Sequence, residues 1–318
     1  MFVSNEDELP KFDTNEPVFL DTETDGLYGP VRLLQLNQHS AACKAPCVID
    51  YVTYEGNFEK LKKYLETLWL VCHNATYDMS VLGICPERLD DTLYLARHEF
   101  LKLESYSLDR VVNACGHSHL YANMDKKEMQ KSDFSETALL TPEQYRYAEL
   151  DVIALAMVWH RLSKHKENMA YKVDMLNMRY ALQYQKNGIG VDKELVMNDF
   201  QETCDKIATN ELELNGLNVN SPLQCKQALN LDSTDKSSLL RAIANGNNLA
   251  KLIFEQRRLI KRRSMLESYM YDKVYTIYNV AGAVSGRFTA SGKGIKQGIN
   301  GQQIPRSMKY FFYNADPN

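Results

Sequence analysis

Apolar residues along this chain follow two rhythms. In the first quarter they come in short runs, at residues 18–20, 31–36, 47–51 and 70–72, each bounded by polar or turn-forming residues, and these runs predict strands. Between the third and fourth runs, Leu61, Leu65 and Leu68 recur at the spacing of a helix, over residues 58–68. Farther on the helical rhythm takes over. Thr141-Pro142-Glu143-Gln144 is a helix start, with a capping threonine and proline at the first helical position, and it opens a long helix through Val152, Leu155, Val158 and Trp159. Further helices are predicted over 171–187, over about 193–211, after the cap at Ser221-Pro222, and over about 249–271. The expected fold class is a mixed α/β sheet covered by helices, followed by a mainly α-helical region.

Three places in this pattern carry carboxylates where an apolar segment ends or turns inward. The run Val18-Phe19-Leu20 delivers Asp21 and Glu23, which a strand's period of two puts on one face. Two acids so placed repel unless a cation lies between them, and hard oxygen donors suit magnesium or manganese. Asp21-x-Glu23 alone also fits a solvated strand end before a Thr-Asp-Gly turn. Asn74 and Asp78 fall one helical turn apart at the start of a helix, and so do Tyr147 and Asp151 on the long helix. Asp151 stands among apolar neighbours, where an unpaired charge is costly, and a metal shared with Asp21 and Glu23 would compensate it.

At 318 residues the chain is long enough for two domains, and 44% apolar with 25% charged is an ordinary globular composition. The net charge of −4 does not announce a nucleic-acid partner, so basic clusters must be sought locally. One lies on the helix over 249–271: Arg257, Arg258, Lys261, Arg262 and Arg263, placed either to track a phosphate backbone or as a solvated helix face. Seven scattered cysteines suit reduced thiols. Cys43 with Cys47 lacks a second pair for zinc, and Cys115, His117 and His119 are the better zinc candidate against an ordinary loop. No run approaches the ~18 apolar residues of a membrane span, and the start lacks signal-peptide features, so a cytoplasmic protein with no membrane contact is expected.

Asp21-x-Glu23, Asn74-x-x-x-Asp78 and Tyr147-x-x-x-Asp151, in that order, resemble the DEDD 3′–5′ exonucleases of the tyrosine subclass, whose fold is RNase H-like. Residues 131–145 also resemble the segment before the third motif in RNase D and in polymerase proofreading domains. The resemblance implies hydrolysis of a 3′-terminal phosphodiester by two divalent ions, Mg²⁺ or Mn²⁺, about 3.5–4 Å apart. In it Asp21 bridges both ions, Glu23 and Asp151 complete the nucleophile-side ion, Asp78 holds the other, and Tyr147 orients the attacking water. Asn74 is assigned to the DNA, as is Leu27, similar in position to a residue that wedges against the terminal base; a core leucine after a turn also fits Leu27.

The second half resembles family A DNA polymerases, the DNA polymerase I relatives. Residues 185–192 match their entry to the thumb, Ser285-Gly286-Arg287 and Gln302-Gln303-Ile304-Pro305 match elements that lie by the DNA, and Arg287, Gln302 and Gln303 are thereby assigned to it. The implied layout is phage-like: an exonuclease domain over 1–165, a helical linker and thumb over 166–275, and the first strands of an incomplete palm over 276–318. The chain stops at Asp316-Pro317-Asn318, about where a first palm carboxylate would follow. The expected partners are therefore single-stranded 3′ ends, primer-template duplex, and a second polypeptide supplying the rest of palm and fingers. That polypeptide is expected to dock on exposed Phe288, Ile304, Phe311 and Phe312. An RNase D-like exoribonuclease and an inactive exonuclease fold used as a DNA-binding subunit are the alternatives.

Overall fold

The computed structural model describes residues 1–38, 45–122, 124–129, 131–280, 282 and 287–313. They divide into two compact units, 1–187 with 275–302, and 188–274 with 303–318. The division falls after residue 187, so the helix over 169–187 belongs with the first unit.

The first unit is built on a five-stranded sheet of β1 (Val18–Thr24), β2 (Val31–Asn37), β3 (Cys47–Asp50), β4 (Trp69–Cys72) and β5 (Arg88–Asp91), in the order β3-β2-β1-β4-β5. β1, β2 and β3 are antiparallel neighbours, whereas β4 and β5 run parallel to β1. Val18, Phe19 and Leu20 are buried, as the unbroken apolar run requires of a central strand. Around the sheet lie α1 (Phe58–Glu66), α2 (Ala75–Leu82), α3 (Thr92–Glu99), α4 (Leu108–Ala114), the single turn α5 (Lys126–Met129), α6 (Pro142–Leu162) and α7 (Met169–Asn187). α1 starts where the Asn57 side chain accepts from the amides of Glu59 and Lys60, and it buries Leu61 and Leu65.

The second unit begins with β6 (Ile189–Val191), followed by α8 (Lys193–Leu214), α9 (Pro222–Leu229), α10 (Lys236–Ala244), α11 (Asn248–Ser268) and β7 (Lys273–Val274). The hairpin of β8 (Ile277–Asn279) and β9 (Thr289–Ser291) belongs to the first unit, where the buried Gln185 side chain accepts from the Tyr278 amide and donates to Ser80. β10 (Phe312–Tyr313) closes the second unit by pairing with β6. This corrects one expectation. Phe311 is fully buried and Phe312 stacks edge-on against Tyr269, 5.0 Å between centroids, because β6 supplies the pairing edge from within the chain. Ile304 is half-buried and Phe288 remains exposed at 36%.

Six described cysteines are free thiols. Among the described residues Cys115, His117 and His119 do not assemble as metal ligands, and Cys43 lies outside the described residues.

One buried ion pair fixes the entry to α6. Arg32 on β2 donates from Nε to Asp50 Oδ1 at 2.9 Å and from a terminal nitrogen to the carbonyls of Ser135 and Ala138, and the Tyr145 hydroxyl donates to Asp50 Oδ2 at 2.8 Å. Arg32 and Asp50 are 6% and 4% exposed, so each depends on the other for its counter-charge. Arg32→Met is expected to lower unfolding stability by about 3 kcal/mol, and the double variant Arg32→Met, Asp50→Asn to recover part of it. Urea unfolding checks this, and a single-variant loss below about 0.5 kcal/mol would contradict it.

Candidate active site

Two features of the sheet create the site. The ladder between β1 and β4 ends at Phe19↔Val71, whereas the ladder between β1 and β2 continues to Thr24. Past Phe19, β1 is therefore open on its β4 side. The second feature is the turn after β1, where Gly26 has φ +74° and a Cβ on Gly29 would collide with the Asp25 carbonyl. The strand ends there abruptly, with Asp21 and Glu23 both half-buried at the opening.

α6 brings the third carboxylate. Its start is a capping box: Thr141 Oγ1 accepts from the Gln144 amide, and the Gln144 side chain accepts from the Thr141 amide at 2.8 Å. Two turns in, Tyr147 and Asp151 share the inward face, each 3% exposed. Carboxylate oxygens of Asp21, Glu23 and Asp151 lie within 4.8 Å of one another, the one such grouping of metal-ligating side chains among the described residues. Burial, and then the charges of Asp78, Asp151 and Glu23, push the Asp21 carboxyl well above the ordinary range. Burial and Asp151 do the same to Glu23. The Tyr147 phenol is raised by burial and by Asp151, Glu23 and Asp21, which holds it as a neutral O–H facing the acids.

Asp78 stands apart from this trio. It is buried on the first turn of α2, where it accepts from Thr22 Oγ1 at 2.8 Å. Thr22 points to the opposite side of β1 from Asp21 and Glu23, so one strand addresses the carboxylates from two helices. Burial pushes Asp78 up to about 7, with the Thr22 hydrogen bond opposing and Asp91 adding to the rise.

Three residues of the site were not singled out in the sequence. Lys126 on α5 places Nζ 3.0 Å from Asp151 Oδ1, with its side chain 12% exposed. The Tyr121 hydroxyl donates to the same oxygen at 2.5 Å, and Lys126 lies over the Tyr121 ring, 4.2 Å from its centroid. Neither lies on a periodic segment, so no pattern announces them. Asp91, at the end of β5, accepts from the amides of Asn74 and Ala75 at 3.0 and 2.8 Å and from Leu93 at 2.8 Å. It thereby caps α2 and α3 together and fixes the helix that carries Asp78. The signal was available as Asp91-Thr92 before an apolar helical segment.

Asn74 is the residue before α2, at φ +72°, its side chain making no cap bond. It lines, with Leu27, a cleft of about 1060 Å³ whose walls also include Asp21, Glu23, Asp78, Tyr147 and Asp151. Leu27 is 58% exposed there, so the core-leucine reading is set aside.

The basic residues of α11 belong to the second unit, and several have internal partners. Arg257 donates to the carbonyls of Val219 and Thr234 at 2.7 and 2.6 Å, Arg262 is paired with Asp199, and Arg263 lies 3.7 Å from Glu267. Arg258 and Lys261 are exposed and, with Arg262, border a cleft of about 560 Å³. Arg287 is exposed, while Ser285 and Gly286 lie outside the described residues, as do residues 316–318. Gln302 donates to the Phe288 carbonyl at 3.2 Å, and Gln303 is exposed. Among the described residues no helix is long and apolar enough to cross a membrane.

No curated protein matches the chain in sequence. Among solved structures it is similar to the POL domain of Pol1 from M. smegmatis in complex with DNA primer-template and dNTP, at a TM-score of 0.60 and 16% identity over 91% of this chain. The chain spans about half of that structure, 52% of its length. It is also similar, at a TM-score of 0.41 and 16% identity, to the Aedes aegypti Nibbler EXO domain, covering 56% of this chain and 94% of that one. A sequence profile described as 3′–5′ exonuclease matches residues 5–167, slightly more than half of the chain, which contain all four acids and Tyr147. The chain belongs to the 3′–5′ exonuclease family.

Proposed function

We propose that the chain removes nucleotides from the 3′ ends of single-stranded DNA by metal-dependent hydrolysis at Asp21, Glu23, Asp78 and Asp151. The observation that carries this reading is the gathering of Asp21, Glu23 and Asp151 within 4.8 Å, beside a neutral Tyr147. Such a donor set, all hard oxygens and short of positive charge, fits Mg²⁺ or Mn²⁺. Asp21, Glu23 and Asp151 would hold one ion and Asp21 with Asp78 a second, in the DEDD arrangement of an RNase H-like domain. Bound divalent cations would lower the pKa of water and stabilise charge on the phosphate and the departing 3′ oxygen. Tyr147 orients the attacking water through its phenolic oxygen, and Glu23 shares that task by accepting its proton. Lys126 neutralises Asp151 until a cation takes that place. Leu27 and Asn74, at the mouth of the cleft, contact the terminal nucleotide.

DNA is favoured over RNA by the fold shared over 91% of this chain with a domain solved on a primer-template. On that reading the second unit is a thumb-like duplex-binding region. Arg258 and Lys261 meet phosphates, Arg287, Gln302 and Gln303 lie near the primer end, and proofreading during DNA synthesis is the physiological role. Arg257 and Arg262, committed to internal partners, support the unit's structure.

On a 5′-labelled single-stranded oligonucleotide with Mg²⁺ or Mn²⁺, the wild type is expected to yield a ladder shortened from the 3′ end. The double variant Asp21→Ala, Glu23→Ala is expected to yield none, and equal activity of the two would sink the proposal. Asp151→Asn and Asp78→Asn should each remove activity to the detection limit, whereas Tyr147→Phe should retain a measurable residue, about 10²-fold below wild type. A marked preference for structured RNA in competition would move the assignment to an RNase D-like trimming activity.

Metal binding should also depend on pH in a definite direction. Asp78, with its pKa near 7 in the metal-free protein, is protonated below that value and must lose the proton to act as a ligand; the raised Asp21 and Glu23 act with the same sign. Mn²⁺ affinity is therefore expected to rise between pH 6 and pH 8, by up to about tenfold per unit for each linked proton, with protons released on binding. Titration calorimetry in buffers of different ionisation enthalpy measures both, and an affinity flat across that range would contradict the linkage.

A further inference from the structure

Helix α7 is apolar on two sides. One side buries Tyr171, Met175, Met178 and Leu182 in the core of the first unit. The other carries Met169, Val173, Leu176, Tyr180 and Tyr184, each 47–72% exposed, at steps of four, three, four and four residues that keep them on one side. Scattered exposed apolar residues are ordinary, but a continuous ridge of five along one helix marks an interaction surface.

The flanks of the ridge specify what would cover it. With Met169 and Leu176 at heptad positions d and Val173 and Tyr180 at a, the g positions are Lys172, Arg179 and Lys186, and the e positions are Ala170, Asn177 and Tyr184. One flank is thus basic throughout and the other uncharged. Lys172 and Lys186 are half-exposed and pair with Glu167 and Glu66 at 2.6 and 2.8 Å, surface pairs of little worth that a partner's acids could exchange. Beside this flank runs a groove of about 520 Å³. The Trp69 ring lies in it with Arg88 and Lys166 over it, at 4.5 and 4.9 Å from its centroid, and Lys172 and Arg179 line the wall. Of the three acids lining the groove, Asp90 is engaged by the Trp69 indole and the Tyr171 hydroxyl, while Glu87 and Glu167 lie among the four cations.

We propose that this face of α7 docks an amphipathic helix from a separate polypeptide, its apolar seam lying on Val173, Leu176 and Tyr180 and its acidic flank facing Lys172, Arg179 and Lys186. A second copy of α7 sets this flank against the same basic or uncharged positions, with no acid at e or g. A nucleic acid would use the cations but leave the apolar ridge in water.

The test is fluorescence anisotropy of the full chain with two labelled helical peptides of about three heptads, both with leucine at a and d, one with glutamate and the other with lysine at e and g. The glutamate peptide is expected to bind at least about tenfold more tightly than the lysine peptide, a gap of 1.4 kcal/mol or more. Leu176→Glu should weaken glutamate-peptide binding at least about tenfold, and Arg179→Glu should reverse the preference between the two. Both side chains are exposed, and circular dichroism checks that the variants stay folded. Failure of the glutamate peptide to bind, or equal binding of both peptides, would overturn the proposal. Displacement of the peptide by a single-stranded oligonucleotide, with no effect of Leu176→Glu, would assign the face to nucleic acid instead. A dimer in sedimentation that Leu176→Glu dissolves would assign it to a second copy.

Discussion

The constraint on which the first unit turns is the mutual repulsion of carboxylates gathered at one end of β1. Burial raises the cost of every charge there, and among the described residues the cation in hydrogen-bonding contact with the cluster is Lys126, 3.0 Å from Asp151. A protein that packs Asp21, Glu23 and Asp151 so closely, with Asp78 buried on α2, gives up stability for a site suited to positive charge, because apolar residues in those places would cost nothing of the kind. The surrounding structure serves to hold the acids against that repulsion. The Thr141–Gln144 capping box and the Arg32–Asp50 pair fix α6, Asp91 fixes the start of α2, and Thr22 ties Asp78 to the strand that carries its neighbours.

This division of labour explains how much could be read from residues alone. Asp21 and Glu23 follow an unbroken apolar run, and Tyr147 and Asp151 follow a capped helix start, so local periodicity and local hydrogen bonding place both pairs and the sequence states them directly. β5 has no signal in the apolar pattern, because Leu89 is the one apolar residue among its four residues. They form a strand since Trp69 and Tyr171 supply partners for Asp90, and the amides of α2 and α3 supply partners for Asp91. Lys126 and Tyr121 were invisible for a different reason. Their role is compensation across the fold, 25 and 30 residues before Asp151 in sequence, and no spacing rule relates them to it.

The basic run on α11 is a plain signal that the fold divides among several tasks. Five cations within seven positions spread around the helix at 100° per residue instead of forming one stripe. Arg257 turns onto backbone carbonyls and Arg262 onto Asp199, while Arg258 and Lys261 face outward. Phe312 similarly looks like an exposed strand edge only while its partner on β6, Val191, 121 residues earlier, is out of view. Contacts with residues distant in sequence decide both cases, and they leave no local trace.

The central claim is that the acidic cluster is a divalent-cation site in which Lys126 neutralises Asp151 in the metal-free protein. Anomalous diffraction from crystals soaked in Mn²⁺ tests it most directly, because the ion's scattering locates it without reference to activity. The account predicts an anomalous peak among Asp21, Glu23 and Asp151, with the Lys126 ammonium displaced from its 3.0 Å contact with Asp151. A cluster without such a peak, with the Lys126–Asp151 pair intact at saturating Mn²⁺, would contradict it.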